Sequence, residues 1–362
     1  MRILIAPLEF KGSLSAGEAA GAIARGLRLS LPHAVLIERA MADGGPGTLD
    51  AILSASSGER REAVVSDPFG RPIRAEWGWV HGEAAVVETA QAAGLSLLAA
   101  GERDPEAATS RGAGELVAAA LDAGSKRIFL GLGGSATNDG GRGFLEALGA
   151  GFKDEPGGGI LADVSGLHPG LANCELIALS DVRSPLLGAE GATRVYAEQK
   201  GATPEMLDRL ERRMQSFARA AEAAFGLTVK DQPGAGAAGG LGFACLLLEA
   251  RLLPGAEVIA RLLGIDEEIK TATALVTGEG AFDSQTNAGK GVATLVELAR
   301  RAHVPAYGVF GRVGADTMAF TSVYALEELA GSTERAISSA AEYLEEAGRR
   351  LGEQLRSIEE QT

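Results

Sequence analysis

The sequence predicts an α/β protein made of two α/β domains. Three observations carry this expectation. The chain has 362 residues, which is long for a single hydrophobic core. It opens on a strand–helix–strand–helix pattern, the start of a doubly wound parallel sheet. Past Asp67-Pro68-Phe69-Gly70 the spacing shortens to two adjacent strand-like runs, as in the hairpin of an antiparallel or mixed sheet. The 50 glycines are about twice the usual share of roughly 7%, and they sit in short loops between periodic segments. That placement favours many tight strand–helix turns.

Taken in order, Arg2 to Ala6 reads as a buried strand. Ser15 caps a helix from Ala16 to Leu29, and Glu18 three residues on completes a capping box. Leu36 to Ala40 is a second strand, followed by a helix through Ala51 to Leu53. Ile73 to Val80 and Ala84 to Thr89 form the hairpin. Alternation then resumes with a helix from Gly112 to Ala123, a strand from Arg127 to Gly131, a helix from Gly143 to Leu148 and a strand from Glu175 to Ser180. Pro204 to Phe225 is a long amphipathic helix, with Met206, Leu207, Leu210, Met214 and Phe217 at helical spacing. Ala238 to Leu253 is predicted as one apolar, buried helix. A strand from Ala274 to Thr277, a helix from Val292 to Ala302, strands at Ala306 to Phe310 and Ser322 to Ala325, and a single helix from Ser332 to Leu355 complete the chain.

The formal charge is 34 minus 48, or −14, which disfavours nucleic acid and anionic membrane as partners, since both are held mainly by Lys and Arg. Small anionic substrates remain compatible with a local basic pocket. Cys174 and Cys245 share no short motif and are expected to be buried thiols in a reducing compartment. The first residues lack a long apolar signal core and no run approaches 18 apolar residues, so a cytoplasmic protein without a membrane span is expected.

The most informative stretch is Leu130 to Gly141, LGLGGSATNDGG, between a strand and a helix start. Such a turn points backbone N–H groups at an anion. Here Gly133, Gly134, Ser135, Thr137, Asn138 and Asp139 add hydroxyl, amide and carboxylate groups, a mixture suited to a phosphorylated ligand; Asn138 or Asp139 could instead cap the next helix. Six further loops place small or charged residues just after apolar runs, where ligands gather in open α/β sheets. Lys11 in Glu9 to Ser13 pairs with a phosphate or carboxylate, or is simply solvated. Asp43 in Ala42 to Thr48 holds Mg²⁺, acts as base, or caps a helix. Arg111 at a helix start is an anion contact or an exposed arginine. Asp181, after a strand, is a metal or base position or the head of an Asx turn toward Pro185, and Lys200 follows it. Gly236 and Gly239 belong to a run, Gly234 to Gly240, that formally matches G-x-G-x-x-G but follows polar residues and Pro233 rather than a strand, so it is weak as a dinucleotide signal. Glu279, Asp283 and Lys290 lie in the last loop, two carboxylates and a lysine suited to metal–nucleotide chemistry. There is no Walker loop, no H-E-x-x-H and no G-x-S-x-G. What remains is aspartates, lysines and glycine turns, the parts of phosphoryl transfer by positioning and charge neutralisation.

In order and spacing, the segments IAP..FKGSLSA, MADGG.GT, TSRG.GEL, LGGSATNDGG.GFLEALG, SDV..PLLG, QKGA, PGAGAAGGLGFA and TGEG..DSQT..GK resemble the bacterial glycerate kinase family of the first type, from the N-terminus to about Gly311. The resemblance implies a discontinuous Rossmann-like domain of residues 1–72 plus 291–362, an inserted α/β domain of residues 73–290, and a cleft between them. It implies transfer of the γ-phosphoryl of ATP, with Mg²⁺, to D-glycerate or a similar small hydroxy acid, at the 2- or 3-hydroxyl, by a monomer or homodimer. On that basis Asp181, Asp43 and Lys11 are the expected catalytic residues, with Asp181 and Asp43 holding metal or accepting the hydroxyl proton. Lys11, Lys200 or Lys290 neutralises the transferring charge. The chain departs from the family pattern at Leu8-Glu9 (usually Asp-Ser), Pro46 (usually Glu), Ser184 (usually Asn) and Ala281-Phe282 (usually Arg-Ile), and a proline usual soon after Gly-Lys is absent at Gly291-Val292. The changes at Leu8, Pro46 and Ala281 motivate a second reading, a homologue that binds a small anion without efficient turnover. A nicotinamide dehydrogenase, drawn from the Gly234 to Gly240 run, is a third.

Overall fold

Ile3, Leu4 and Ile5 have no water-accessible surface, which is what a central strand of a parallel sheet requires. In the computed structural model, which describes residues 1–156, 159–283, 290–314 and 317–360, Arg2–Ile5 pairs in parallel with Val35–Glu38 on one side and Ala274–Thr277 on the other. Ala306–Phe310 and Ser322–Ala325 extend that second side, so the five-stranded sheet is parallel throughout. The chain leaves Arg2–Ile5 toward one edge and later returns to build the opposite edge. The strand order therefore reverses between Arg2–Ile5 and Ala274–Thr277. Ile3, Ile5, Val276, Tyr307 and Val309 pack with the helices Ala16–Ser30 and Ala340–Glu359, while the alternate residues Leu4, Leu275 and Phe310 are buried as well. Ser15 caps the first of these helices as expected: Glu18 N donates to Ser15 Oγ at 3.3 Å and Ser15 N donates to Glu18 Oε2 at 2.9 Å.

The second sheet has six strands, in the order Arg251–Leu253, Glu175–Leu179, Arg127–Gly131, Ala84–Glu88, Pro72–Val80 and Glu59–Ser66. The first four are parallel; the last two are added antiparallel. This is the mixed sheet that the hairpin pattern predicts. Ala85, Val87, Ile128, Leu130 and Ala178 pack against Leu116, Val117 and Ala120 of the helix Arg111–Asp122. The chain divides into two compact units: residues 1–43, 50–55 and 256–362 around the first sheet, and residues 44–49 and 56–255 around the second.

Two expectations are corrected. The apolar run from Ala238 is not one helix to Leu253. The helix Ala237–Leu247 carries left-handed backbone at Ala238, Gly239 and Gly240, and Arg251–Leu253 is an edge strand beside Glu175–Leu179. The terminal helix is two, Thr333–Ser338 and Ala340–Glu359, broken at Ser339 where φ is −123° and ψ 35°. The strand Glu59–Ser66 was not anticipated. It is an edge strand whose charges pair across to Pro72–Val80, Arg60 with Glu76 and Arg74 with Glu62. No helix among the described residues is long and apolar enough to cross a membrane.

Candidate active site

In the second unit, four of the loops singled out by sequence lock together beyond the carboxyl ends of the parallel strands. Gly133 N donates to Gly44 O at 2.9 Å, and Leu132 N donates to Leu179 O at 3.2 Å. A side chain at Gly133 would meet Gly45 Cα at 2.4 Å, so the loop from the third strand and the Gly44–Gly45 turn touch backbone to backbone. Gly236 N donates to Ser184 O at 2.9 Å, and Gly140 N to Gly239 O at 3.0 Å. Gly239 has a φ of 69°, and a Cβ there would lie 1.9 Å from Thr137 O. The glycines that mimic a dinucleotide fingerprint are thus consumed by chain-to-chain packing against the Leu130 to Gly141 loop.

That loop is held from below by Lys200, whose side chain is only 3% exposed. Its Nζ donates to Ser135 Oγ at 2.9 Å and to Thr137 O at 2.8 Å. Burial pushes the ammonium down to about 7, against the opposing pull of the Asp139 charge. Asp139 fastens the loop to the next helix and to the Thr109–Arg111 turn. Its Oδ2 accepts from Ser110 N and Ser110 Oγ, both at 2.8 Å, and from Gly143 N at 3.2 Å; its Oδ1 accepts from Gly141 N at 3.0 Å. Asn138 Nδ2 donates to Thr193 Oγ1 at 3.0 Å. Thr137 Oγ1 and Asn138 Oδ1 are buried with no hydrogen-bond partner among the described residues. A buried oxygen left this way costs about 1–3 kcal/mol, so the centre of the loop carries unmet hydrogen-bonding capacity. Gly134 is exposed at the loop's tip, beneath Pro46 Cγ, which a Cβ at Gly134 would approach to 3.1 Å.

Asp181 follows the strand Glu175–Leu179 and is half-buried. The turn there is made by Ser180, whose Oγ accepts from Val182 N at 3.2 Å. Arg111 is exposed, and its Nε donates to Glu115 Oε1 at 3.0 Å. A cavity of about 690 Å³ opens beside Asn138 and Asp139, with Thr109, Arg142 and Phe217 in its wall. Arg142 is drawn to Glu146 and Asp154, at 2.9 and 2.8 Å.

The first unit holds the other candidates. Leu8 N donates to Gly278 O at 2.8 Å, which sets the Glu9–Ser13 loop beside the Gly278–Ala281 loop. Lys11 and Asp43 are exposed; Glu279 and Lys290 are half-buried. Asp283 ends the short strand Ala281–Asp283, which pairs with Arg312–Gly314, and its side chain lies outside the described residues, as do residues 284–289 of the same motif. Leu8 is a core residue: a Cβ on Gly291 would meet its Cδ2 at 2.5 Å. Sequence reasoning left Glu9 off the list of site residues. Burial pushes the Glu9 carboxyl up, Lys11 draws it back, and the Asp43 charge raises it further, so Glu9 feels both charges. A carboxylate in the loop after the first strand was the available signal. Among the described residues no three His, Cys, Asp or Glu side chains are grouped to hold a metal.

Hydroxyl, ammonium and backbone N–H groups on glycine turns, with carboxylates at strand ends, can bind a phosphorylated ligand and accept a proton. Comparison with known proteins agrees with that chemistry. Residues 3–356 match the model of the glycerate kinase family. The chain is 42% identical to the glycerate kinase of Bacillus subtilis (strain 168) over 96% of both chains, and 42% identical to the glycerate 2-kinase of Escherichia coli (strain K12) over 87% of this chain and 86% of that one. The fold matches the crystal structure of a candidate glycerate kinase 2 from Salmonella typhimurium LT2 with a TM-score of 0.85, at 36% identity and over 99% of each chain. A match spanning nearly every residue, in sequence and in fold together, means that the chain belongs to the glycerate kinase family.

Proposed function

We propose that the protein is an ATP-dependent kinase that phosphorylates D-glycerate or a similar small hydroxy acid. The observation that carries the reading is the end-to-end similarity to enzymes named glycerate kinase and glycerate 2-kinase. The second of those names favours the 2-hydroxyl as acceptor and 2-phosphoglycerate as product. In the reaction the acceptor hydroxyl oxygen attacks the γ-phosphorus, the bond to the β–γ bridging oxygen breaks, and ADP leaves. The hydroxyl proton passes to a carboxylate, for which Asp181 and Asp43 are the choices. Lys11, Lys200 and Lys290 are the cations available to the transferring charge, and Lys200 acts through Ser135 and the Thr137 carbonyl, which it holds. Glycine turns at 131–141 and 234–240 position the loop that faces the anion.

Mg²⁺ bound with ATP neutralises phosphate charge, and it takes hard oxygen ligands, commonly one or two carboxylates beside the phosphates. Asp43 and Asp181 each have that donor chemistry, and either would hold it. A cytoplasmic location, small-molecule partners alone, and the two-domain division with a discontinuous first domain belong to the same proposal. The reading as a binding homologue without turnover finds no support in these similarities. The test is a coupled ADP-release assay with D-glycerate, ATP and Mg²⁺, with the product position read by phosphorus NMR. Absence of ADP release over a panel of small hydroxy acids would end the proposal.

A further inference from the structure

The sheet of the first unit ends, on its carboxyl side, in a cavity of about 370 Å³. Its wall is made by the segments that leave four of the five strands: residues 9–13 after Arg2–Ile5, residues 279–281 after Ala274–Thr277, residues 311–312 after Ala306–Phe310, and Leu326 after Ser322–Ala325. The first two of these segments flank the place where the strand order reverses. In open α/β sheets, ligands bind outside the carboxyl ends of the strands at such a reversal. The rim is a fixed piece of backbone: Gly311 N donates to Glu279 O at 3.0 Å and Arg312 N to Gly280 O at 3.1 Å.

Apolar groups, cations and the half-buried carboxylates Glu9 and Glu279 line it, with the hydroxyls of Ser13 and Thr333. Ala281, Leu326 and Ile337 are apolar, and Ile337, on the short helix Thr333–Ser338, is left 51% exposed. Lys11 and Arg312 are exposed cations on the same cavity. An apolar slot whose rim carries two cations and two carboxylates suits a flat heteroaromatic group with hydroxyls for the carboxylates and a polyanion for the cations. A three-carbon hydroxy acid has no apolar face to bury there and would fill a small part of the space. The volume lies at the lower end of the roughly 300–1,000 Å³ of small-molecule sites, enough for a nucleoside.

We infer that this cavity takes the nucleoside part of ATP, with Lys11 and Arg312 on the side of its phosphates. The inference rests on the kinase reading for its choice of ligand. It assigns the nucleotide to the first unit and leaves the glycine turns of the second for other anionic groups.

The test is calorimetric titration of ATP, of adenosine and of inorganic tripolyphosphate into the whole protein without glycerate, for the wild type and two variants. Ala281→Leu narrows the cavity. Ile337→Ser removes apolar lining at an exposed position and leaves the core untouched. Both variants are expected to weaken ATP and adenosine at least fivefold, to leave tripolyphosphate within twofold, and to leave KM for D-glycerate within twofold. A folded Ile337→Ser protein that binds ATP and adenosine like the wild type overturns the inference. So does a variant in which the KM for glycerate rises in place of the affinity for ATP. The two readings fail separately: a wild type that binds adenosine, with binding lost in the variants, but transfers no phosphoryl group ends the kinase reading and keeps this site. Normal turnover with unaffected variants does the reverse.

Discussion

The Lys200 ammonium reaches the Ser135 hydroxyl at 2.9 Å from a position that is almost entirely covered. A cation so placed, with a carbonyl and a hydroxyl as its hydrogen-bond partners, is a strut under the glycine loop as well as a charge. Its burial gives it a pH signature. In the unfolded chain it holds its proton to about 10.5, in the folded protein only to about 7. The unfolded state therefore binds more protons across that window, and the Lys200 contribution to stability rises with pH from about 7 to about 10.5. Between pH 7 and pH 10, stability should shift in favour of the wild type relative to Lys200→Met by a few kcal/mol. Urea unfolding at the two pH values measures it; a difference that stays constant with pH would mean that the buried amine keeps its proton.

Asp139 ties three segments together through four accepted hydrogen bonds. Asp139→Ala leaves the N–H groups of Ser110, Gly141 and Gly143 and the Ser110 hydroxyl without this acceptor. A loss of about 2–4 kcal/mol in stability is expected, read as a lower urea midpoint. A change below 0.5 kcal/mol would mean that water replaces the carboxylate at no cost.

Gly239 is one of the tight crossing points of the site loops. Gly239→Ala sets a Cβ 1.9 Å from Thr137 O at a φ of 69°. Left-handed strain adds to overpacking, for a destabilisation of roughly 2–4 kcal/mol. Because Thr137 O is also a Lys200 acceptor, the loop itself must move, and turnover should fall in the fraction that remains folded. Full activity with unchanged stability would show that the two loops separate without consequence.

Asp181 is the sharpest test of mechanism. As general base it is expected to be worth about 10²–10⁴ in kcat. Asp181→Ala should lower kcat by at least 10²-fold with the far-UV spectrum unchanged. Wild-type turnover would remove Asp181 from the mechanism and leave Asp43 or Glu9 as the carboxylate to examine.

Much of the fold is legible because the signals are local. Ser15 and Glu18 announce a helix start from four residues of sequence, and the structure closes that box. Ile3 to Ile5 read as buried because they are apolar on both strand faces. What escaped depends on distant partners. Arg251–Leu253 is a strand only because Glu175–Leu179 lies beside it. Glu59–Ser66 hides its strand character under charges that are neutralised across the pair. Within the site, glycine density marked the right loops, yet the sequence does not say that Gly236 and Gly239 face other chain segments instead of a ligand. Lys200 stood out as a lysine, while its covering comes from the 135–137 loop, about 65 residues earlier. Glu9 stands one residue past the usual carboxylate position, and adjacent residues on a strand point to opposite faces, so it replaces that carboxylate only if the turn shifts; Leu8, at the usual position, packs beside Gly291.

The pairing of Arg2–Ile5 with Ala274–Thr277 has a consequence for how the chain is made. Arg2 N donates to Thr273 Oγ1 at 3.0 Å, across 271 residues of sequence. At about 5–20 residues per second of synthesis, the first strand waits on the order of 15–50 s for the neighbour that completes the middle of its sheet. Throughout that interval a short strand, apolar from Ile3 to Ile5, presents an open edge, the kind of surface that pairs with a wrong chain. The helix Ala16–Ser30 and the strand Val35–Glu38 are already out and can cover one side of it. Truncation short of residue 274 should therefore give an aggregating nascent chain even though the second sheet, whose last strand ends at Leu253, is by then entirely synthesised.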